Sequence, residues 1–308
     1  MAAISLNGVH KTYRTGLLKK KVFAVSDLSL EVASGEVYGL VGPNGAGKSS
    51  TIRMLLGLSR PKSGSVHIKG RPAGDREILK QIGYLPENPY LYDNLSLRNM
   101  LDFCARVSGL DGNSRKRRVD TLLEKLGMAS VQNRPMRTYS KGMLQRAGIC
   151  FALLHDPAIV ILDEPMSGLD PIGRKHVFDI VMELKQQGKT IFFCSHILSD
   201  VERLCDRIGM LHQGRLVRTF ESSDFSDEID LAVHLRIGPL SPELRGRLVA
   251  LGARFQNEGD QCLVSVAGDR VAQVAQNLND QGVSIIASRS ERISLEEKFI
   301  AAIQEGVQ

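Results

Sequence analysis

Short apolar stretches broken by turns open the chain. "ISLNGVHKTY", "VFAVSDLSLEV" and "EVYGLVG" predict a small antiparallel sheet leading into a buried strand. A helix follows from Lys48 to about Leu58, then a hairpin-like "GSVHIKGRPA" and the strand "QIGYLPE". From Ser96 to about Gly148 the apolar positions recur at helical spacing, as in "LRNMLDFCARVSGL" and "RKRRVDTLLEKLGM". "AIVILDEP" returns to a buried strand. Helix and strand then repeat through "GRKHVFDIVMELKQQG", "KTIFFCSH", "LSDVERLCD" and "RIGMLHQGRLV". Strands of Val, Ile and Leu alternating with helices predict a mostly parallel sheet, with residues 96–148 as a helical insertion. From about 230 the order is βαββαβ plus a final helix in "SLEEKFIAAIQ", the order of a ferredoxin-like unit.

Charge divides the chain at the same place. Residues 1–220 hold 32 Lys/Arg against 20 Asp/Glu, whereas residues 221–308 hold 8 against 14. The expected organisation is a first domain over 1–220, a polar and acidic linker over 221–229, and an accessory α+β domain over 230–308. A basic front part suits a polyanionic ligand or an anionic membrane surface. The five cysteines are scattered, with no CxxC pair, which speaks against a disulfide frame or zinc site and for a reducing compartment. No apolar run reaches the roughly 18–20 residues of a membrane helix, and the first residues lack a secretory pattern.

"GPNGAGKS", Gly42 to Ser49, fits G-x-x-x-x-G-K-[ST] in full, after an apolar strand and before a helix. Gly42, Pro43, Asn44, Gly45, Ala46 and Gly47 form a loop whose backbone N–H groups can curl around phosphate oxygens, and Ser50 follows in the first helical turn. Lys48 can reach the β and γ phosphates of ATP, and the Ser49 hydroxyl can ligate Mg²⁺. The strand "AIVILDEP" delivers Asp163 to the same sheet edge as a Mg²⁺ ligand. Glu164, one residue on, is the expected general base for the attacking water. His196 ends the next apolar strand, at the same edge, where it can hydrogen-bond the γ-phosphate.

These residues, with "YSKGMLQR" (Tyr139 to Arg146) and "SGLD" (Ser167 to Asp170) between them, resemble the ATP-binding subunit of an ABC transporter over about residues 4–220. The resemblance implies an α/β fold: a phosphate-loop ATPase core with a mostly parallel sheet, an antiparallel β subdomain and a helical insertion. It implies ATP hydrolysis and a head-to-tail homodimer or paired ATPase subunit around two Mg-ATP. Ser140 and the backbone near Gly142 would grip the nucleotide of the opposite copy. Tyr13 would stack on adenine, and Asp170 would shape the dimer interface. It also implies an integral-membrane permease partner and a place on the cytoplasmic face of the cell membrane. Two positions depart from the family pattern. Glu87 stands where glutamine is usual, and retains an oxygen ligand for Mg²⁺ or water. Lys141 stands where the signature usually has glycine. Both features resemble exporter ATPases whose membrane part is a separate chain.

The alternative is a soluble ABC ATPase acting on a ribosome or nucleic acid. Such proteins usually carry two cassettes or a coiled-coil insertion, and this chain has one cassette and no heptad run, so no nucleic acid is expected. A cassette that binds ATP without turnover is disfavoured by the intact Asp163, Glu164 and His196. "RKRR" (Arg115 to Arg118) reads as a solvated helix face, and "GLLKKK" (Gly16 to Lys21) as a hairpin loop tip. The acidic tail, lacking a nucleophile–base pair or metal spacing, reads as a structural or regulatory domain.

Overall fold

The computed structural model describes residues 2–15, 20–222, 231–258 and 261–292, together with Glu297 and Ile300. They fall into two compact units, one ending at Ser222 and one beginning beyond it. Most of the expected linker, residues 16–19 of the expected loop at 16–21 and most of the expected final helix lie outside the described residues, while Lys20 and Lys21 already belong to a strand.

The first unit begins with β1 (Ala2–Thr15) and β2 (Lys20–Ala33), an antiparallel pair whose register slips several times. β4 (Ser63–Ile68) and the short β5 (Arg71–Pro72) complete a sheet in the order β2-β1-β4-β5. A second sheet runs β10-β9-β3-β8-β7-β6. Its strands are β3 (Val37–Val41), β6 (Ile82–Leu85), β7 (Ile159–Asp163), β8 (Thr190–Ser195), β9 (Arg207–His212) and β10 (Arg215–Glu221). All neighbours pair in parallel except the edge hairpin β9–β10. β3, β7 and β8 are buried along their whole length, as covered parallel strands require.

Helix α1 (Lys48–Leu55) leaves β3, and the single turn α2 (Arg76–Leu79) precedes β6. Ile4, Leu6 and Leu28 of the antiparallel sheet, Ile52 and Leu55 of α1, and Ile161 and Phe192 of the parallel sheet share one buried cluster. The two sheets and α1 therefore form one core.

The insertion holds α3 (Leu97–Val107), α4 (Gly112–Lys125) and the start of α5 (Lys141–Leu153). α5 continues past the expected end at 148, because Ala147 to Cys150 and Ala152 to Leu154 are buried. Asp156, with φ 54°, and Pro157 follow its end. "RKRR" departs from a uniformly solvated face. Lys116 and Arg117 are exposed, but Arg118 turns inward to donate to the carbonyls of Leu153 and Leu154 at 2.6 and 3.3 Å. A cation at these last carbonyls stabilises the helix end.

α6 (Pro171–Gln186) links β7 to β8, and α7 (Leu198–Leu204) links β8 to β9. The second unit has β11 (Leu231–Ile237), α8 (Pro242–Ala250), β12 (Arg254–Glu258), β13 (Gln261–Ala267), α9 (Val271–Asp280) and β14 (Ile285–Arg292). Its sheet order, β12-β13-β11-β14, is antiparallel throughout, the expected ferredoxin-like arrangement. Leu244 and Leu248 of α8 and Val274 and Leu278 of α9 pack with Leu235 and Val264 of the sheet.

Candidate active site

Strand register brings the candidate chemistry to one edge. Val41 pairs with Ser195, Cys194 with Asp163, and Leu162 with Leu85. The residues immediately beyond these pairs are Gly42, His196, Glu164 and Pro86, with Glu87 next in the chain. The C-terminal edge of a parallel sheet is where such folds gather ligand-binding groups.

The phosphate loop closes on itself through Ala46 N–H, which donates to Pro43 O at 3.1 Å. Gly47 precedes α1 with φ 113°, and a Cβ built there would meet the Ala24 carbonyl oxygen at 2.4 Å. Only glycine fits this backbone against β2. No side chain caps the start of α1, so its first N–H groups face the loop. Pro43, Asn44, Gly45 and Ser49 are exposed, Ser50 is half-buried and Lys48 is buried. Lys48 Nζ donates to Gly42 O at 2.6 Å and lies 3.5 Å from Glu164 Oε1.

Glu164 is buried and adopts φ 50°, a backbone rare outside glycine. Its N–H donates to Cys194 O at 2.9 Å. Its Oε2 lies 2.7 Å from His196 Nδ1 and accepts the His196 N–H at 3.3 Å. Two contacts were not foreseen from the sequence. Ser195 Oγ reaches Glu164 Oε2 at 3.4 Å, and buried Gln145 donates from Nε2 to Glu164 O at 3.4 Å. Ser195 adjoins His196 in sequence, which is a local signal. Gln145 comes from α5, and nothing in the sequence marked it as a neighbour of Glu164.

Asp163 is buried, and its carboxyl is pushed up to about 6 by that burial, then by the charges of Glu164 and Glu87. Lys48 acts in the opposite direction. Among the described residues no three His, Cys, Asp or Glu side chains converge into a cage for a metal ion. Magnesium is typically held by one or two carboxylates completed by phosphate and water oxygens. Hard oxygen donors short of positive charge, at Asp163, Glu87 and Ser49, fit that pattern.

Tyr13 lies on β1 opposite Val22, its hydroxyl turned in toward Ser59 and Ser50 and its ring capped at 5.1 Å by Lys11 Nζ. The aromatic group thus sits beside the first turn of α1. Ser140 is elsewhere. As the cap of α5, its Oγ accepts the Met143 N–H at 3.3 Å, and Tyr139 anchors the preceding turn by donating to Val131 O at 2.8 Å. Ser140, Gly142 and Asp170 line one cavity of about 350 Å³, and no phosphate-loop residue lines it. Asp170 caps α6, accepting the Gly173 N–H at 2.6 Å.

Comparison with known proteins gives a family and a fold. A family model described as ABC transporter matches residues 25–167. An uncharacterized ABC transporter ATP-binding protein of Synechocystis sp. is 40% identical over 301 residues, covering 96% of this chain and 83% of that protein. The bacitracin transport ATP-binding protein BcrA of Bacillus licheniformis is 43% identical over 197 residues, 63% of each chain. A match to a relative from Nostoc sp. likewise spans 65% of that protein's length. Among solved structures, the dimeric structure of a bacterial ABC transporter cassette aligns with a TM-score of 0.66 at 25% identity. That alignment covers 71% of this chain and 98% of the other.

Proposed function

The chain belongs to the ABC transporter family as an ATP-binding ATPase subunit, and from that premise we propose that it pairs head to tail around two Mg-ATP and drives export through a separate permease. One observation carries the pairing. Ser140 and Gly142 line a cavity with Asp170, apart from the phosphate loop, while Lys48, Glu164 and His196 are already assembled around that loop. A second copy supplies what each site lacks. The likeness to a cassette solved as a dimer supports this reading.

In hydrolysis, Lys48 moves from Glu164 and the Gly42 carbonyl to the β and γ phosphates. Glu164 takes a proton from water as the water oxygen bonds to the γ-phosphorus. The bond from that phosphorus to the bridging oxygen breaks, and its electron pair leaves with ADP. His196 holds the carboxylate in register and faces the γ-phosphate. Ser49, Asp163 and Glu87 would hold Mg²⁺, which when bound neutralises phosphate charge. Nucleotide that binds the closed pair better than the open one shifts the chain toward closure, and loss of the γ-phosphate releases it.

Kinship with ATP-binding proteins named for transport supports a permease partner and, with it, a place at the cytoplasmic membrane face. Among the described residues no helix is long and apolar enough to cross a membrane. Tyr90, Tyr92, Phe103 and Val107 are exposed apolar groups, and a cavity of about 310 Å³ runs from Glu87 to Tyr90 and Leu144. Such a surface suits a partner protein. The likeness to a bacitracin transport ATP-binding protein supports a role in transport.

The test uses the full chain with Glu164→Gln. With Mg-ATP it is expected to double in mass by light scattering and to co-purify with its permease from solubilised membranes. Adding Ser140→Ala should weaken the pairing. A Glu164→Gln chain that stays single at saturating Mg-ATP, alone and with the permease, overturns the reading.

A further inference from the structure

Tyr13 meets a cation before it meets any nucleotide. Lys11 and Tyr13 stand two residues apart on β1 and so project to the same side of the strand. The pairing slip beside them falls on β2, where Val25 faces Lys11, Phe23 faces Thr12 and Ala24 is the extra residue, so the alternation of β1 is kept. Lys11 Nζ lies 5.1 Å from the centre of the Tyr13 ring, within the range of a cation–π contact. The same ammonium donates to Arg60 O at 2.7 Å. Its stem is thus fixed at both ends, by the strand and by that carbonyl.

The carbonyl is itself held in place. Arg60 belongs to the segment that follows α1. Within that segment the Ser59 N–H donates to Arg53 O of the helix at 3.1 Å, and the Lys62 N–H donates to His10 O of β1 at 2.7 Å. The Tyr13 hydroxyl is enclosed and turned toward Ser59 and toward Ser50 in the first turn of α1. One short segment therefore receives both the hydroxyl end of the tyrosine and the ammonium that covers its ring.

We propose that Lys11 is a positioning residue for the nucleotide: it holds the Tyr13 ring from one face so that the base stacks on the other. The inference rests on the stacking role expected of Tyr13 and assigns the group that supports it. Two physical effects carry it. A ring whose tilt is set before the nucleotide arrives loses less freedom on binding. A cation on one face also draws electron density away from the other, which relieves the repulsion between two stacked π faces. Lys11 touches neither base nor phosphate in this arrangement and acts only through Tyr13.

The experiment measures Mg-ADP binding to the full chain by calorimetry, since a diphosphate is neither hydrolysed nor expected to close a pair. Parent, Lys11→Met, Lys11→Arg, Tyr13→Ala and Tyr13→Ala/Lys11→Met are compared, with Mg-pyrophosphate as a competitor that carries no base. Methionine keeps an unbranched stem and removes the charge. A lost cation–π contact predicts about three- to fivefold weaker Mg-ADP binding for Lys11→Met and near-parent binding for Lys11→Arg. Mg-pyrophosphate should bind parent and Lys11→Met alike. In the Tyr13→Ala background, Lys11→Met should add nothing, because the ring through which it acts is gone. Parent-like Mg-ADP binding by Lys11→Met overturns the Lys11 assignment and leaves stacking on Tyr13 standing. A penalty that persists without the ring, reaches pyrophosphate as well, or is not recovered by arginine places the lysine on the nucleotide or in the fold, and overturns the assignment too. Parent-like binding by Tyr13→Ala overturns the stacking role and the inference with it.

Discussion

Glu164 is held through both carboxylate oxygens: His196 Nδ1 lies 2.7 Å from Oε2, and Lys48 Nζ lies 3.5 Å from Oε1. Glu164 and His196 follow the ends of the adjacent strands β7 and β8, and Lys48 opens the helix α1 that follows β3. If Glu164 acts as the proposed base, a carboxylate anchored this way needs little reorientation before it meets water. Its backbone, at φ 50°, turns the side chain back over the neighbouring strand.

Glu164→Gln preserves shape and removes the proton acceptor. Phosphate release is expected to fall by about 10²–10⁴-fold, the usual span for losing a general base. ATP affinity should stay within a few-fold, because the phosphate loop is untouched. Single-turnover phosphate release beside equilibrium nucleotide binding checks both halves.

His196→Ala removes the shortest of the three contacts to Glu164 Oε2, leaving the Ser195 hydroxyl and the backbone N–H of residue 196. We expect kcat to drop by about 10²-fold with a smaller change in KM, since orientation of the base matters most in the transition state. Steady-state ATPase kinetics report the split. A variant with normal kcat would leave the Glu164–His196 contact without a catalytic role.

Asp163 links the site to pH. Its carboxyl is raised from the ordinary 3.8 to about 6, chiefly by burial, so the folded chain holds a proton that the unfolded chain has released. Stability from this group therefore falls as pH climbs from about 4 to 6, and the full cost, on the order of 3 kcal/mol, persists above it. Asp163→Asn should raise the melting temperature of nucleotide-free protein at pH 8 and leave it little changed at pH 4. The same substitution should abolish Mg²⁺-dependent ATP turnover. Thermal melts in chelator across pH 4–8 test the first point.

Tyr13 turns its hydroxyl toward Ser59 and Ser50, and its ring is the group proposed to meet the base. Loss of stacking in Tyr13→Ala is expected to weaken ATP binding by about 5–100-fold, on the scale of 1–3 kcal/mol per stacked base. Tyr13→Phe should bind nearly as the parent. Competition with inosine triphosphate, which keeps the phosphates and alters the ring, separates stacking from phosphate contacts.

Much of this molecule was legible before any coordinates. The phosphate loop and "ILDEP" carry their context with them, since a fully apolar strand ending in charge must end at a sheet edge. The βαββαβ order of the second unit followed from alternation alone. What could not be read were contacts made between distant segments. Gln145 reaches the Glu164 carbonyl only because α5 packs beside β6, and Arg118 turns inward only because the end of α5 lies beneath it. A charge run looks the same whether its members face water or a helix end. The end of α5 was misplaced for a related reason: "AGICFALL" is apolar all round, so periodicity gives no stopping point, and His155, Asp156 and Pro157 supply it.

The contact between Lys48 and Glu164, both almost wholly out of water, makes the loop nearly self-neutral before any ligand comes. Sulfate, chloride or stray inorganic phosphate would have to break that internal salt link and give little in return. A magnesium-loaded triphosphate brings its own counter-charge and many oxygens, and can part the two side chains while recompensing both. On the proposed reading of the site, discrimination against small anions would begin with how the lysine rests.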